Sequence, residues 1–375
     1  MECTVLPDSG FLPFRDRLYL KAVRQRVPVF GSIEFTSSCN LKCVHCYIAG
    51  EDRNDSQLSL EQLKDITDQL ADAGCLWLLI TGGEPLFRKD FHDIYRYVRE
   101  RGIIPVLFTN GTLVTDETAD FLASFPPYLT EISIYGASKE TYEGVTRVPG
   151  SYEMAFRGIE RLLDRGLRLF LKTMAMKSNL HEVEAMAAIA ADYGVPFRFD
   201  TLLNKGLDGQ EHPLGQRITV EETLALEAGN DQRRKGWLDL AERFSAPHQG
   251  GDLIYMCGAG TSTFHIDPAG RLSVCILSRQ ESYDLLSGTF LEGWDSFLPK
   301  VISRKWSRDV PCRTCRLKSV CGQCPGWGYL EHGDPEARVE YLCSLAEARA
   351  RELGLQDARV YDMDSNVTNN GDERT

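Results

Sequence analysis

Between residues 32 and 203 the chain alternates short β-type apolar runs with longer amphipathic stretches, and no other feature narrows its fold as much. The runs are Ser32–Thr36, Leu76–Thr81, Pro105–Asn110, Glu131–Tyr135, Arg168–Met176 and Pro196–Leu203. Between them, Leu60–Ala73, Lys89–Arg101, Asp116–Ser124, Tyr152–Arg165 and Glu182–Tyr193 carry apolar residues at helical spacing. Ser59 and Thr115 offer capping hydroxyls, and Gly74, Gly102, Gly166 and Gly194 stand where helices should end. Strands alternating with helices pack as a parallel sheet with right-handed crossovers. Six such units fall short of a closed eightfold barrel, so the expected fold is α/β, an open partial (β/α)6 barrel.

The segments after the first four strands hold the unusual residues. Cys39-Asn40-Leu41-Lys42-Cys43-Val44-His45-Cys46-Tyr47 follows the first, Gly82-Gly83-Glu84-Pro85 the second, Asn110-Gly111-Thr112 the third, and Gly136 the fourth. Barrel active sites are built at that rim, so one shared site is expected there. The C-x3-C-x2-C triplet can hold three irons of a [4Fe–4S] cluster. A structural cluster takes four thiolates, so the fourth iron would be left for another ligand. Zinc sites also begin with close cysteine pairs, and spacing alone leaves both metals open.

The chain has 12 cysteines. Besides the triplet, Cys257, Cys275, Cys312, Cys315, Cys321, Cys324 and Cys343 gather near the C-terminal end, while Cys3 and Cys75 stand alone. No apolar stretch approaches membrane-spanning length, and Met1–Phe14 lacks the basic-then-apolar order of a secretory signal. A cytoplasmic protein without a membrane partner is therefore expected, and in that compartment the cysteines read as two metal regions rather than a disulfide framework. A net charge of −12 argues against nonspecific nucleic-acid binding. At 375 residues the chain suggests one large domain and a smaller one. The expected division is an N-terminal extension over 1–30, the partial barrel over 31–235, a cysteine-rich domain over 236–355, and a polar, disordered tail over 356–375.

With the triplet after strand one and Gly82–Pro85 after strand two, the chain resembles the radical S-adenosylmethionine (SAM) superfamily, from about Pro28 to Asn204. The resemblance implies that Cys39, Cys43 and Cys46 hold a [4Fe–4S] cluster whose open iron chelates the SAM amino and carboxylate groups. One-electron cleavage then yields a 5′-deoxyadenosyl radical that takes hydrogen from unactivated carbon; the protein supplies orientation and excludes water. It further implies that Gly82, Gly83, Glu84 and Pro85 meet the methionine ammonium, the glycines letting backbone come close. Glu84 is either an acceptor there or a brace for its own loop. Asn110 either caps or lines the site. Ser133 is a candidate for the ribose and Arg147 for the carboxylate, with structural roles equally open for both. His45 is read as packing beside the cluster.

The seven later cysteines resemble the SPASM extension of that superfamily over roughly 250–350. By that resemblance Cys257, Cys275 and Cys324 bind a nearer auxiliary Fe–S cluster, and Cys312, Cys315, Cys321 and Cys343 a farther one. Three thiolates leave a fourth ligand to substrate, water or another side chain. The family's central group commonly has three residues before its last cysteine, whereas Gly322-Gln323 supplies two. Relatives of this kind modify peptides, so the expected activity is oxidative crosslinking of a ribosomally made peptide. The expected partners are that peptide, a separate peptide-recognition protein if any, and a flavodoxin or ferredoxin donor. Ile276 stands where sulfatase-maturing relatives place an aspartate, which argues against that activity. The alternatives are a small-molecule enzyme, by tetrapyrrole side-chain decarboxylation or alcohol oxidation, and a non-enzymatic Fe–S carrier.

Overall fold

A computed structural model describes residues 17–18, 20–48, 57–229, 231–243 and 252–355. Cys3, the tail expected at 356–375 and residues 1–16 of the expected extension lie outside the described residues. Strands β1 (Phe30–Glu34), β2 (Trp77–Thr81), β3 (Ile104–Thr109), β4 (Leu129–Ser133), β5 (Leu169–Met174) and β6 (Phe197–Asp200) pair in parallel, each beside the next in sequence. Helices Leu60–Asp72, Phe91–Glu100, Asp116–Ser124, Ser151–Asp164 and Val183–Asp192 connect them. Each expected strand and helix of this region is present, with ends shifted by a few residues.

Burial explains the periodicity. β3, β4 and β5 alternate buried and half-buried residues, as strands between an apolar layer and a more open face must. Leu78, Ile80, Leu107, Ile132 and Leu171 are fully buried, as are Leu63, Leu70, Ile94, Val98, Leu122, Ile159 and Leu162 on the helices. The opposite sheet face presents Glu131 and Ser133 of β4, Lys172 of β5 and Arg198 of β6; Ser133 pairs with Lys172, and Lys172 with Arg198.

Two features were absent from the sequence reading. Helix Lys139–Thr146 caps on Ser138 and is only eight residues long, too short to display a period. Strand β7 (Thr263–Ile266) pairs in parallel with β1, and β8 (Arg271–Ser273) and β9 (Tyr283–Asp284) follow antiparallel, extending one sheet to nine strands among the described residues. Four, three and two residues are too few to show alternation.

The described residues group into two compact units. Those of 1–218, 252–306 and 324–337 form one, and those of 219–251, 307–323 and 338–375 the other. A single cut near 235 therefore does not describe the grouping. No described helix is long and apolar enough to cross a membrane.

Candidate active site

The segment after β1 is held by the segment after β2. The Gly83 N–H donates to Thr36 O at 2.8 Å and the Glu84 N–H to Ser38 O at 2.9 Å. Gly82 has φ +136°, and a Cβ there would lie 2.2 Å from Thr36 O; one on Gly83 would lie 2.3 Å from Ser38 O. A side chain at either position would therefore collide with backbone 36–38, the approach to Cys39. Arg88 straps the same segment, donating to Phe35 O and Leu58 O at 2.9 Å each while Asp90 holds its other edge.

Glu84 is fully buried. Its carboxylate accepts from the Thr109 hydroxyl and the Asn110 N–H, both at 2.7 Å, and from the Leu86 N–H at 3.1 Å. It braces the loops after β2 and β3, the second of the two roles open at the sequence level. Burial pushes its carboxyl up to about 7, against the lowering effect of those hydrogen bonds. A raised folded value means that the protonated form's contribution is complete below the unfolded value and lost as pH rises through about 7. Between about pH 5 and about pH 8 the wild type should therefore lose about 3 kcal/mol more unfolding free energy than Glu84→Gln, which cannot titrate. Denaturant unfolding of both proteins at the two pH values checks this.

Asn110 joins the third loop to the cysteines. Its Nδ2 donates to Asn40 Oδ1 at 3.0 Å and reaches Cys39 Sγ at 3.8 Å, while its Oδ1 accepts from the Thr112 N–H and hydroxyl. Asn40 closes the ring by donating to Thr112 Oγ1 at 2.7 Å. The far side of the cysteine loop hangs on the end of helix Lys139–Thr146: the Lys42 and Val44 N–H groups donate to Thr146 O and Val145 O. Arg147 caps that helix in the left-handed region, φ 59°, with its side chain exposed. Ser133 bonds Tyr135, whose hydroxyl is held far above its usual range by burial and then by the Cys43 sulfur. Tyr135 packs on His45, ring centroids 5.0 Å apart. Burial, then the field of His212, lowers His45 to about 4, so its ring is neutral at pH 7, as a packing role requires.

These sulfurs suit cluster thiolates. The Leu41 N–H lies 3.4 Å from Cys39 Sγ, an amide two residues on that favours an anionic sulfur. The same pattern recurs at Cys315, with Leu317 N–H at 3.4 Å, and at Cys321, with Gln323 N–H at 3.4 Å. Cys324 accepts from the Trp327 and Gly326 N–H groups; burial pushes its thiol up to about 12, with Cys275 and Cys257 adding to the shift. Cys257, Cys275 and Cys324 thus neighbour one another in the first unit. Cys312, Cys315, Cys321 and Cys343 lie in the second, where Cys343 is raised to about 12 by burial, with Cys321 and Cys312 contributing. Among the described residues no three Cys, His, Asp or Glu side chains gather closely enough for a single ion. A cluster instead takes one thiolate per iron.

Several residues escaped the sequence reading. Lys172 lies over the Phe108 ring and 3.3 Å from Glu131, and burial lowers its ammonium to about 8. Arg198 bridges Glu131 and Asp200 at 2.8 and 2.7 Å. Arg279 pairs with the buried Glu34. Their signal was a charge inside an apolar run, as in Thr130-Glu131-Ile132 and Leu171-Lys172-Thr173.

Among known proteins, residues 33–190 match the Radical SAM superfamily. Residues 33–190 are a radical SAM domain. A domain of that superfamily implies a [4Fe–4S] cluster and SAM. The chain's sequence is 29% identical to mycofactocin maturase MftC of Mycolicibacterium smegmatis over 317 residues, 81% of this chain and 76% of that one. It is 26% identical to the AdoMet-dependent heme synthase of Methanosarcina barkeri over 328 residues, 80% of this chain and 92% of that one. Among solved structures, Streptococcus suis SuiB bound to S-adenosylmethionine aligns with TM-score 0.64 and 15% identity, over 92% of this chain and 84% of SuiB. SuiB bound to precursor peptide SuiA aligns with TM-score 0.64 and 16% identity, over 92% and 83%. At that identity the likeness is one of fold, a mostly parallel sheet with surrounding helices.

Proposed function

We propose that this chain is a radical SAM enzyme that matures a ribosomally made peptide, removing two hydrogens and leaving an oxidative crosslink. The observation that carries the reading is the charge on the inner strands. Lys172 meets Glu131, and Arg198 meets Glu131 and Asp200. A lining whose cations are each matched by a carboxylate offers no excess positive charge to the carboxylates of a tetrapyrrole, and it suits an uncharged peptide segment. The likeness to MftC, and to a fold that SuiB uses to hold precursor peptide SuiA, supports the same reading. The likeness to a heme synthase supports the second one, side-chain decarboxylation of a tetrapyrrole.

Bound SAM and its cluster supply the radical chemistry. Cys39, Cys43 and Cys46 are assigned to that cluster, with Asn110 and the Gly82–Pro85 segment fixing their loop. Ser133 is assigned to the SAM ribose. Arg147, held in a strained conformation beside the cysteine loop, is assigned to the SAM carboxylate. Cys257, Cys275 and Cys324 are assigned to one auxiliary Fe–S cluster and Cys312, Cys315, Cys321 and Cys343 to the other, which their grouping supports. A flavodoxin or ferredoxin would supply electrons.

The test is anaerobic incubation of reconstituted enzyme with SAM, reductant and either precursor peptides encoded beside its gene or an iron-tetrapyrrole substrate. Mass spectrometry should find a SAM-dependent loss of two hydrogens in one peptide, mapped to a defined residue pair. Loss of carbon dioxide from the tetrapyrrole with every peptide unchanged would establish the second reading.

A further inference from the structure

We propose that Arg279 is a positioning residue that locks the Cys275 loop to strand β1, fixing one metal-binding loop against the other. The proposal rests on the assignment of Cys275 as a cluster ligand. One guanidinium serves three acceptors: Nη2 donates to Glu34 Oε1 at 2.5 Å, Nη1 to Glu34 Oε2 at 3.1 Å, and Nε to Ile276 O at 2.8 Å. Ile276 follows Cys275 directly, and Glu34 ends the strand that runs into Cys39. The side chains are 14% and 1% exposed. If the loop moved away, a buried carboxylate would lose its bidentate guanidinium, which is unfavourable.

His265 cannot replace the arginine. Its Nε2 is 3.7 Å from Glu34 Oε1, but its ring is fully buried and its Nδ1 shares a hydrogen bond with Ser32 Oγ at 2.9 Å. Burial, then the field of Arg279, keeps it neutral. The other charged or titratable neighbours acting on Arg279, Tyr47 and Asp267, add to the stability of its cation. Beyond the arginine, β8 delivers the loop: Ser273 Oγ donates to Cys275 O at 3.2 Å, and the Ser278 N–H donates to the same carbonyl at 3.2 Å. These bonds shape the loop internally. Among the described contacts of the loop, the guanidinium is what ties it to β1.

Lysine keeps the charge and loses the fork, so Arg279→Lys separates the two. In reduced, metal-free protein, iodoacetamide labelling of Cys275, read by peptide mass spectrometry, should be about tenfold faster in Arg279→Lys, with the buried Cys75 unchanged as internal control. In the reconstituted enzyme, 5′-deoxyadenosine formation should stay within about threefold of wild type while modified product per 5′-deoxyadenosine falls about tenfold. The paramagnetic resonance of the reduced auxiliary clusters should shift, and that of the SAM-bound cluster should not. If Arg279→Lys does not fold, the Glu34→Gln/Arg279→Gln double variant, which strands no charge, is held to the same criteria. Wild-type labelling and coupling in the variant, or a parallel rise at Cys75, would overturn the proposal while leaving the function intact. Wild-type enzyme that takes up iron for only one cluster would overturn the Cys275 assignment and this proposal with it.

Discussion

Cys43→Ala should lower reductant-dependent formation of 5′-deoxyadenosine by on the order of a thousandfold or more, to the level of the protein-free reaction, because the group that performs the cleavage would lose a ligand. The loop around it gives a reason to expect a chemical and not a structural failure. Its backbone is fixed on one side by Lys42 and Val44 donating to Thr146 O and Val145 O, and on the other by Asn40 and Asn110. None of these bonds uses the Cys43 side chain. The melting temperature of the metal-free variant should therefore stay close to wild type, while iron content falls by one cluster. Cys75→Ala is the matched control. Cys75 is buried, its thiol pushed up to about 12 by burial alone, and it reaches the Trp77 carbonyl at 3.5 Å. Its loss should cost stability, about 1 kcal/mol or somewhat more, and leave SAM cleavage unchanged. Unimpaired 5′-deoxyadenosine formation in Cys43→Ala would remove the triplet from the chemistry altogether.

The rim of this site was legible because local spacing encodes it. A cysteine triplet, a Gly-Gly-Glu-Pro turn and an Asn-Gly-Thr turn each follow a strand, and the periodicity of the intervening helices places all three at the same end of a parallel sheet. What each residue touches was not legible. Gly82 and Gly83 read as letting backbone approach a ligand, and the close approach of Thr36–Ser38 to both positions was not visible in the sequence. Glu84 had two open roles, and the choice between them depended on donors from Thr109 and Asn110 on another loop. Arg279 and Glu34 lie 245 positions apart, so no window of sequence could join them. The short strands β7–β9 were hidden for a related reason. Their pairing comes from β1 and from one another, and none carries enough residues to announce a period.

Cys324→Ala should separate SAM cleavage from product formation. On the proposed assignment, this cysteine serves an auxiliary cluster and has no part in the loop after β1. It precedes helix Pro325–His332, and the amides of Gly326 and Trp327 in the first turn point at its sulfur. Such donors favour a thiolate at a helix start, where the dipole adds in the same sense. Without a metal the site is inhospitable to that charge, as burial pushes the thiol up to about 12. Alanine should therefore not destabilise the metal-free fold much, and its effect should emerge when iron is bound. The expected result is 5′-deoxyadenosine formation within about fivefold of wild type, with modified peptide reduced on the order of a hundredfold, because radical generation survives while the substrate radical is no longer drawn forward. Cys315→Ala, in the other cysteine group, distinguishes two versions of this idea. A comparable loss of product would mean that both groups serve one path for the departing electron. A milder loss would place the essential step at the Cys257, Cys275 and Cys324 group alone. Full peptide modification by Cys324→Ala, with the iron of one cluster missing, would show that oxidation of the substrate does not pass through that group, and the net loss of two hydrogens would then require a different acceptor.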